Sequence, residues 1–399
     1  MRKVRNQVIA ALCTALLVPA VALSAIAAET GEQITPVLAS LVAPPSPAVL
    51  SDGRYYLLYE LMLTSATNVA IELESLEVLD PQKKNRPVAF LDSAYIKSHS
   101  RFPGAKGPAA MLGPAQSGYL KVNLSFDTLE EVPKTISHML RVSTAEPWGL
   151  YETTTIMEQQ VAQVTIPRDT GPVIAPPLKG ERWIAVAVAG NSYHRNTVMP
   201  LNGKWVAPER WAVDWIKIDA NNLLCNGDSL KCESYPQYGQ EILAVADGTV
   251  LEARNDQPDQ IPGRLPEDIP FEDACGNFVL LNIGEGYSAF FAHFIPGTVR
   301  VRAGDEVIQG QVLGLLGNSG NSDAPHLHFH TVKGSSCLAS NGVPYVIDSF
   351  KLEAYAVSSD NLEPELESGE VVQLLPVGDS GYRAHVMPAN LDMVHFAEK

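Results

Sequence analysis

The sequence predicts an all-β protein made of two β-rich units that a proline-rich segment connects. The clearest strand lies in the first unit, where apolar Leu120, Val122 and Leu124 alternate with polar neighbours. Alternation with a period of two is typical of a strand with one buried face and one solvated face. A second β-rich unit begins near Trp183, and the segment 167–177, rich in proline, separates the two. At 399 residues the chain is long enough for two domains.

The first unit, residues 30–167, is predicted to be an Ig-like antiparallel β-sandwich. Tyr55–Leu63 and Val69–Leu79 are rich in β-forming residues, and turn-forming sequences such as Ser51-Asp52-Gly53 lie between such runs. Antiparallel strands that each have one apolar face bury those faces by packing as two sheets. A linker is predicted to follow at residues 168–177.

The second unit, residues 178–350, is predicted to be an antiparallel β-sheet domain, with a C-terminal extension at 351–399. Its predicted strands are Trp183–Val188, Ile242–Ala253, Phe278–Asn282 and Val307–Leu316. Two long irregular insertions, Asp219–Tyr238 and Asn255–Ala274, interrupt them. Loops of this length inside a compact domain are usually functional rims or disordered. We therefore expect these insertions to wall a groove.

The N-terminus is predicted to be a signal peptide at residues 1–28. Arg2, Lys3 and Arg5 precede an apolar run from Val8 to Leu23, and small residues follow it. The run is short for a membrane span, which needs about 20 residues, so we expect cleavage rather than a stable membrane anchor. The mature protein is then exported to the periplasm or the extracellular space.

The charge of the chain argues against one class of partner. The formal net charge is −16, and loss of the basic signal peptide makes the mature chain more acidic. Phosphate-rich partners bind basic surfaces, so the sequence predicts no nucleic acid partner.

Four cysteines remain after the predicted cleavage, and we expect them to form disulfides because the chain enters an oxidising compartment. Cys225–Cys232 with Cys275–Cys337 is the preferred pairing among the possible connectivities, since the first pair closes a short loop. A structural zinc site is a poor alternative because the close pairs typical of such sites are missing.

Three histidines alternate with apolar residues in Pro325-His326-Leu327-His328-Phe329-His330. On a strand, alternate side chains share one face and lie about 6.6–7 Å apart, so His326 and His328 can converge on one small site. Such a cluster favours metal ligation or proton transfer. His293 stands out at the end of another apolar run, Phe290–Phe294.

His194 and Asp214 complete the set of candidate residues. Asp214 lies within the apolar sequence Trp211–Trp215, where a buried carboxylate needs a partner. A salt bridge is the alternative to a metal. Two histidines and one aspartate would leave zinc with a fourth position open to water, which is the arrangement of catalytic zinc sites.

At these residues the chain resembles the lysostaphin/LytM-type zinc endopeptidases, which share the duplicated hybrid motif. The resemblance covers about residues 180–350. It rests on four segments at the family's intervals, namely Ala244-Val245-Ala246-Asp247-Gly248-Thr249-Val250, Val301-Arg302-Ala303-Gly304-Asp305-Glu306-Val307, Leu316-Gly317-Asn318-Ser319-Gly320 and Pro325-His326-Leu327-His328-Phe329. The second unit is therefore expected to be a LytM-like peptidase domain.

The resemblance implies zinc as cofactor, held by His194, Asp214 and His328, with His293 and His326 as the catalytic pair. One departure concerns the first ligand, which the family usually carries four residues before the aspartate, where this chain has Arg210. Arginine does not bind zinc, so the ligand is assigned to His194. A second departure is His330, where relatives commonly have glutamate, and we expect it beside the site rather than as a ligand.

The resemblance also implies the substrate, namely the stem peptides or cross-bridges of peptidoglycan. Two alternatives stay open at this point. One is a metal-free LytM-like regulator that activates a cell-wall amidase, or acts through another envelope partner, which Arg210 in the usual ligand position would suit. The other is a zinc peptidase with a protein substrate.

Overall fold

β-Strands are the dominant regular structure of the described residues, and the all-β prediction is confirmed. The structure, a computed structural model, describes residues 34–104, 109–149, 155–190, 192–357, 371–378 and 381–397. Helical segments within them are short, namely α1 (Ser93–His99) and 3-10 turns at Pro81–Lys83, Tyr193–Asn196, Cys232–Ser234 and Phe271–Asp273. In these ranges no helix has the length and apolar character to cross a membrane. The predicted signal peptide lies outside the described residues.

Two antiparallel sheets form the first part of the chain. Their strands are β1 (Val37–Leu41), β2 (Ala48–Val49), β3 (Tyr55–Ser65), β4 (Ile71–Asp80), β5 (Arg86–Asp92), β6 (Ser100–Arg101), β7 (Met111–Leu112), β8 (Ser117–Phe126), β9 (Thr135–Thr144) and β10 (Ile156–Thr165). One sheet has the order β1-β3-β8-β6 and the other β10-β9-β4-β5, with β2 and β7 at their sides. Both sheets bury residues in one hydrophobic cluster, as in a sandwich.

The polar face of β8, which the sequence predicts to be solvated, is partly buried. Leu120, Val122 and Leu124 on β8 enter the sandwich core as expected. Lys121, on the opposite face, is only 3% exposed, because residues from the second part of the chain cover it. The alternation correctly predicts the strand, but it does not reveal what packs on its polar face.

The second part of the chain is built on a 13-stranded sheet. The remaining strands are β11 (Val173–Ile174), β12 (Gly180–Val186), β13 (Met199–Leu201), β14 (Lys204–Val206), β15 (Val213–Lys217), β16 (Glu241–Leu243), β17 (Gly248–Arg254), β18 (Phe278–Gly284), β19 (Tyr287–Ala292), β20 (Glu306–Val307), β21 (Val312–Leu315), β22 (Leu327–Lys333), β23 (Asn341–Val343), β24 (Val346–Ala356), β25 (Leu374–Pro376), β26 (Tyr382–Val386) and β27 (Asp392–Phe396). The sheet has the order β11-β24-β27-β12-β15-β22-β19-β18-β17-β20, and β13-β14 and β16-β21 pair separately. A large hydrophobic cluster underlies it.

Strands from the segments predicted as linker and C-terminal extension belong to this sheet. β11 lies within the predicted linker and pairs in parallel with β24, which runs across the predicted boundary at residue 350. β27 lies between β24 and β12, so it covers an edge of β12 that would otherwise be unpaired. The described residues from Thr35 onward form one compact unit by their contacts. The predicted domain boundaries remain predictions.

The four cysteines that the structure describes are free thiols, so the predicted disulfides Cys225–Cys232 and Cys275–Cys337 are not formed in it. Cys275 and Cys337 nevertheless lie in side-chain hydrogen-bond contact. The Cys232 thiol instead donates to the carbonyl oxygen of Gln260 at 3.6 Å.

Asp392 is a buried carboxyl group that connects the C-terminal strand β27 to the first part of the chain. It has no exposed surface and accepts hydrogen bonds from the Ser51 hydroxyl and from the Ala389 amide, the latter at 2.8 Å. Its Oδ1 atom has no hydrogen-bond partner among the described residues. Burial raises the pKa of Asp392 to about 6, although the hydrogen bond from Ser51 opposes this shift.

We expect Asp392→Asn to remove part of the pH dependence of stability. The pKa in the folded protein is raised from the ordinary 3.8 to about 6, so ionising Asp392 destabilises the folded state as the pH rises through this window. Between about pH 4 and about pH 8 the wild type should lose about 2–3 kcal/mol of unfolding free energy relative to the variant. Urea unfolding of both metal-free proteins measures this difference. Parallel pH profiles would contradict it.

Candidate metal and catalytic site

Neighbouring strands of the large sheet bring the candidate residues together. Asp214 on β15 lies directly opposite His328 on β22, and Ala292 on β19 lies opposite His328 on the other side. Paired residues on adjacent antiparallel strands project from the same face. Asp214 and His328 therefore share one face, and His293 follows immediately at the end of β19.

The carboxylate of Asp214 is the centre of the site. Its Oδ1 atom lies 2.9 Å from His328 Nδ1 and 3.5 Å from His326 Nε2, and its Oδ2 atom lies 3.2 Å from His194 Nε2. The Tyr193 hydroxyl donates a further hydrogen bond to Oδ2. Asp214 is only 4% exposed, so this charge depends on the groups around it.

His194 reaches the site from the 3-10 turn Tyr193–Asn196. The Ser192 hydroxyl caps this turn by accepting a hydrogen bond from the His194 amide. The Nδ1–H group of His194 donates to the Ala187 carbonyl at 3.1 Å, which directs Nε2 toward Asp214. The structure therefore places His194 beside Asp214, as the assignment of the first ligand requires.

Arg210 points away from the site. Its Nε and Nη2 atoms donate to Glu60 Oε2 on β3, at 2.9 and 2.5 Å. The residue in the family's usual ligand position is therefore engaged with the sandwich. His194 lies beside Asp214 instead, and the segment between His194 and Arg210 contains the β13-β14 hairpin.

His293 and His326 lie side by side at the edge of the site, with ring centroids 4.6 Å apart. Nδ1 of His293 donates to the Ser319 carbonyl at 2.6 Å, and Nδ1 of His326 donates to the Ala324 carbonyl at 2.9 Å. These bonds fix both rings and leave each Nε2 atom available for proton transfer.

Burial and neighbouring charges shift the pKa values of the site residues, and which of the two effects dominates differs from residue to residue. Burial opposes the ionisation of Asp214, but the imidazoles of His194 and His326 outweigh it and hold the pKa of the carboxyl well below its usual range. Burial opposes protonation of His194, but Asp214 outweighs it and raises its pKa to about 9. For His293, burial and the nearby His326 and His328 lower the pKa, which favours the neutral ring.

His330 contacts His328 on the side away from Asp214. This agrees with the expectation that His330 lies beside the site. His330 Nδ1 is 2.9 Å from His328 Nε2, and His330 Nε2–H donates to the Cys337 carbonyl at 3.3 Å. Burial and the adjacent His328 lower the pKa of His330, so the neutral ring accepts from His328 Nε2–H. This contact leaves His328 Nδ1 facing Asp214, as a residue that orients a ligand does.

The donor set fits a divalent metal ion. His194, Asp214 and His328 each offer a ligand atom, and these atoms lie within 4.8 Å of one another; His293, His326 and His328 form a second such group. The first group includes a carboxylate and consists only of buried residues. Lone pairs of nitrogen and oxygen converge there, and a proton or a cation must neutralise their repulsion.

A cavity of about 610 Å³ opens over the site, and all five predicted site residues line it. The insertion at 255–274 contributes Leu265 and Phe271, both more than half exposed, to its walls. This agrees with the prediction for the insertion 255–274, whereas no residue of the other predicted insertion, 219–238, lines the cavity. Glu209 and Asp323 add carboxylates to the lining.

Two residues that contact the site or its neighbours, Tyr193 and Glu60, were not identified from the sequence. Tyr193 contacts Asp214 through its hydroxyl, and its position next to His194 is the single local signal for it. Glu60 binds Arg210 from a distant strand, and nothing in the sequence links the two residues.

A His-His-Asp donor set beside two imidazoles, at the floor of a groove on an antiparallel sheet, is typical of metal-dependent hydrolases. Residues 233–340 match the model of peptidase family M23, and this match confirms the predicted resemblance. His293, His326 and His328 lie inside the matched segment. His194 and Asp214 precede it, so their place in the site rests on the geometry.

Two curated relatives are similar to parts of the chain. An endolysin of Staphylococcus phage 2638A is 24% identical over 152 residues, which are 38% of this chain and 28% of the relative. The peptidoglycan DD-endopeptidase ShyA of Vibrio cholerae is 29% identical over 94 residues, which are 24% of this chain and 18% of the relative. The chain thus spans less than a third of either relative's length.

Solved structures of two peptidases are also similar. The catalytic domain of the prophage-encoded M23 protein EnpA from Enterococcus faecalis, in a mutant form, has 18% identity and a TM-score of 0.26, covering 44% of this chain and 94% of its own. The catalytic domain of lysostaphin from Staphylococcus simulans has 19% identity and a TM-score of 0.23, covering 41% and 88%.

Proposed function

We propose that the protein is an exported zinc-dependent endopeptidase that hydrolyses amide bonds in peptidoglycan cross-links. The observation that carries the proposal is the convergence of His194, Asp214 and His328 beside His293 and His326 at the floor of one groove. The M23 match supports the peptidase activity.

His194, Asp214 and His328 would hold the zinc ion. When bound, zinc polarises a carbonyl group and lowers the pKa of coordinated water to about 7. The carboxylate offsets part of the ion's charge, and His330 keeps Nδ1 of His328 directed at the site.

His293 and His326 would carry the proton transfers. Each ring is held at Nδ1 by a backbone carbonyl group, so Nε2 can accept a proton from the attacking water or donate one to the leaving amine. Once Nε2 has taken up a proton, its N–H group can also stabilise the oxyanion of the tetrahedral intermediate. Burial and the adjacent His326 and His328 lower the pKa of His293, so its ring is neutral and its Nε2 lone pair can accept a proton.

Two kinds of observation support the substrate and the location. Both curated relatives are named for the breakdown of bacterial cell walls or peptidoglycan, an endolysin and a DD-endopeptidase. The basic and apolar N-terminus supports export, because such segments direct secretion.

The alternative function, metal-free activation of an amidase, is less well supported by the geometry. It would follow if Arg210 occupied a ligand position. Arg210 instead binds Glu60, and His194 lies beside Asp214.

Removal and return of zinc tests the proposal. We expect the purified mature protein to contain about one zinc ion per chain and to release new amino groups from cross-linked peptidoglycan. Chelation should abolish the release, and added zinc should restore it. No amidase is added to the assay, so that activation of an amidase cannot explain the release. A protein that binds zinc but leaves the peptidoglycan intact would contradict the substrate, and one that binds no zinc would contradict the mechanism.

A further inference from the structure

A buried ion-pair network connects the sandwich to both ends of the segment between His194 and Asp214. Glu60 on β3 accepts a hydrogen bond from Arg195 Nε at 2.9 Å through Oε1, and bonds from Arg210 through Oε2. Arg195 directly follows His194, and Arg210 shortly precedes Asp214. One carboxylate therefore holds Arg195, which is next to His194, and Arg210, which lies four residues before Asp214.

The sandwich also holds the turn that carries His194 by other bonds. Arg195 Nη1 donates to Asn123 Oδ1 on β8 at 2.7 Å, and Nη2 donates to the Tyr59 carbonyl at 3.1 Å. Lys121 Nζ donates to Asn196 Oδ1 at 2.8 Å. Both residues that follow His194 are thus fixed to β3 and β8.

The geometry of the turn couples this anchoring to the metal site. A 3-10 turn has about three residues per turn, so the side chains of consecutive residues diverge by about 120°. Arg195 points into the sandwich, and His194 consequently points toward Asp214.

The network is buried. The exposed fractions of Glu60, Arg195 and Arg210 are 0%, 1% and 3%. Burial opposes ionisation of Glu60, but Arg210 and Arg195 outweigh it and lower the pKa of the carboxyl below its usual value. A buried charge that loses its partner is strongly unfavourable, which ties the two arginines to Glu60.

We propose that Glu60 is a positioning residue for metal binding, which keeps His194 beside Asp214 and keeps Arg210 out of the ligand position. The sandwich is then a structural part of the metal site. This inference rests on the proposed function, because it concerns the same metal site.

Zinc affinity of the full mature chain, measured by competition with a chelator, tests the inference. We expect Glu60→Gln to lower the affinity by about 10–100-fold, the usual effect of removing a residue that supports a ligand. The visible spectrum of the Co²⁺-substituted variant should change as well, because it reports the coordination geometry. The matched control is Leu61→Ala, which loosens the sandwich core on the same strand but leaves the network intact, and it should keep the wild-type affinity and spectrum.

A second variant guards against a simple loss of folding. Replacing Glu60, Arg195 and Arg210 together by leucine removes all three charges, and apolar replacement of a buried ionic cluster is often tolerated. We expect this protein to fold and to bind zinc as weakly as Glu60→Gln. Wild-type affinity in either Glu60 variant, or an equal loss in Leu61→Ala, would overturn the inference while leaving the proposed function intact. A wild-type chain that binds no zinc would overturn both.

Discussion

His328→Ala is expected to remove zinc from the protein and to lower kcat/KM for peptidoglycan cleavage by about 10³-fold or more. His328 contributes Nδ1 to the donor set and is held there by His330. A bound metal ion supplies several kcal/mol of transition-state stabilisation, and each 1.36 kcal/mol corresponds to about tenfold in rate. Plasma emission spectroscopy measures the zinc, and release of amino groups from peptidoglycan measures the activity. His194→Ala should behave in the same way.

A histidine outside the site provides the control for this pair. His385 is exposed on β26, and its φ is +55°, a conformation that asparagine tolerates better than alanine does. His385→Asn should therefore retain both zinc and activity. Zinc retained by His194→Ala but lost from His328→Ala would show that the first ligand is assigned wrongly.

His293→Asn is expected to lower kcat by about 10²–10⁴-fold while the zinc content stays near wild type, because a positioned general acid or base contributes about that much. Asparagine is chosen since the φ of His293 is +70°, where alanine would add backbone strain. His326→Ala should have a similar effect. Zinc content and steady-state kinetics measured on the same preparations separate chemistry from metal binding.

This experiment also distinguishes the two possible metal groups. His293, His326 and His328 could hold an ion without Asp214 or His194. If that group were the metal site, His293→Asn would lose zinc as well as activity. Retained zinc with low kcat is the result that the proposed roles require.

The fold was predictable from the sequence where local periodicity decides it. Alternation along β8 identifies a strand, and the spacing of His328 and His330 correctly places both on one face of β22. The side chains of His328 and His330 are in hydrogen-bond contact, at 2.9 Å. These features depend on the two-residue repeat of a strand, which the chain carries in its own order.

Long-range packing could not be predicted in the same way. The polar face of β8 resembles a solvated surface, yet Lys121 is buried there because the turn at 193–196 packs on it. The strand β27 joins the large sheet from a segment that looked like an extension. Such contacts join residues far apart in the chain, so no local pattern encodes them.

The sequence by itself determined the strand pattern, the resemblance to LytM-type peptidases and the histidines that follow from it, because residue types at regular spacing carry each of them. Only the tertiary structure decided which residue lies beside Asp214. Arg210 is closer to Asp214 in sequence, but its guanidinium group binds buried Glu60 in the sandwich. His194 lies beside the Asp214 carboxylate instead. The physical reason is that the partner of a buried charge is set by proximity in space, since an unpaired charge in the protein interior is strongly unfavourable.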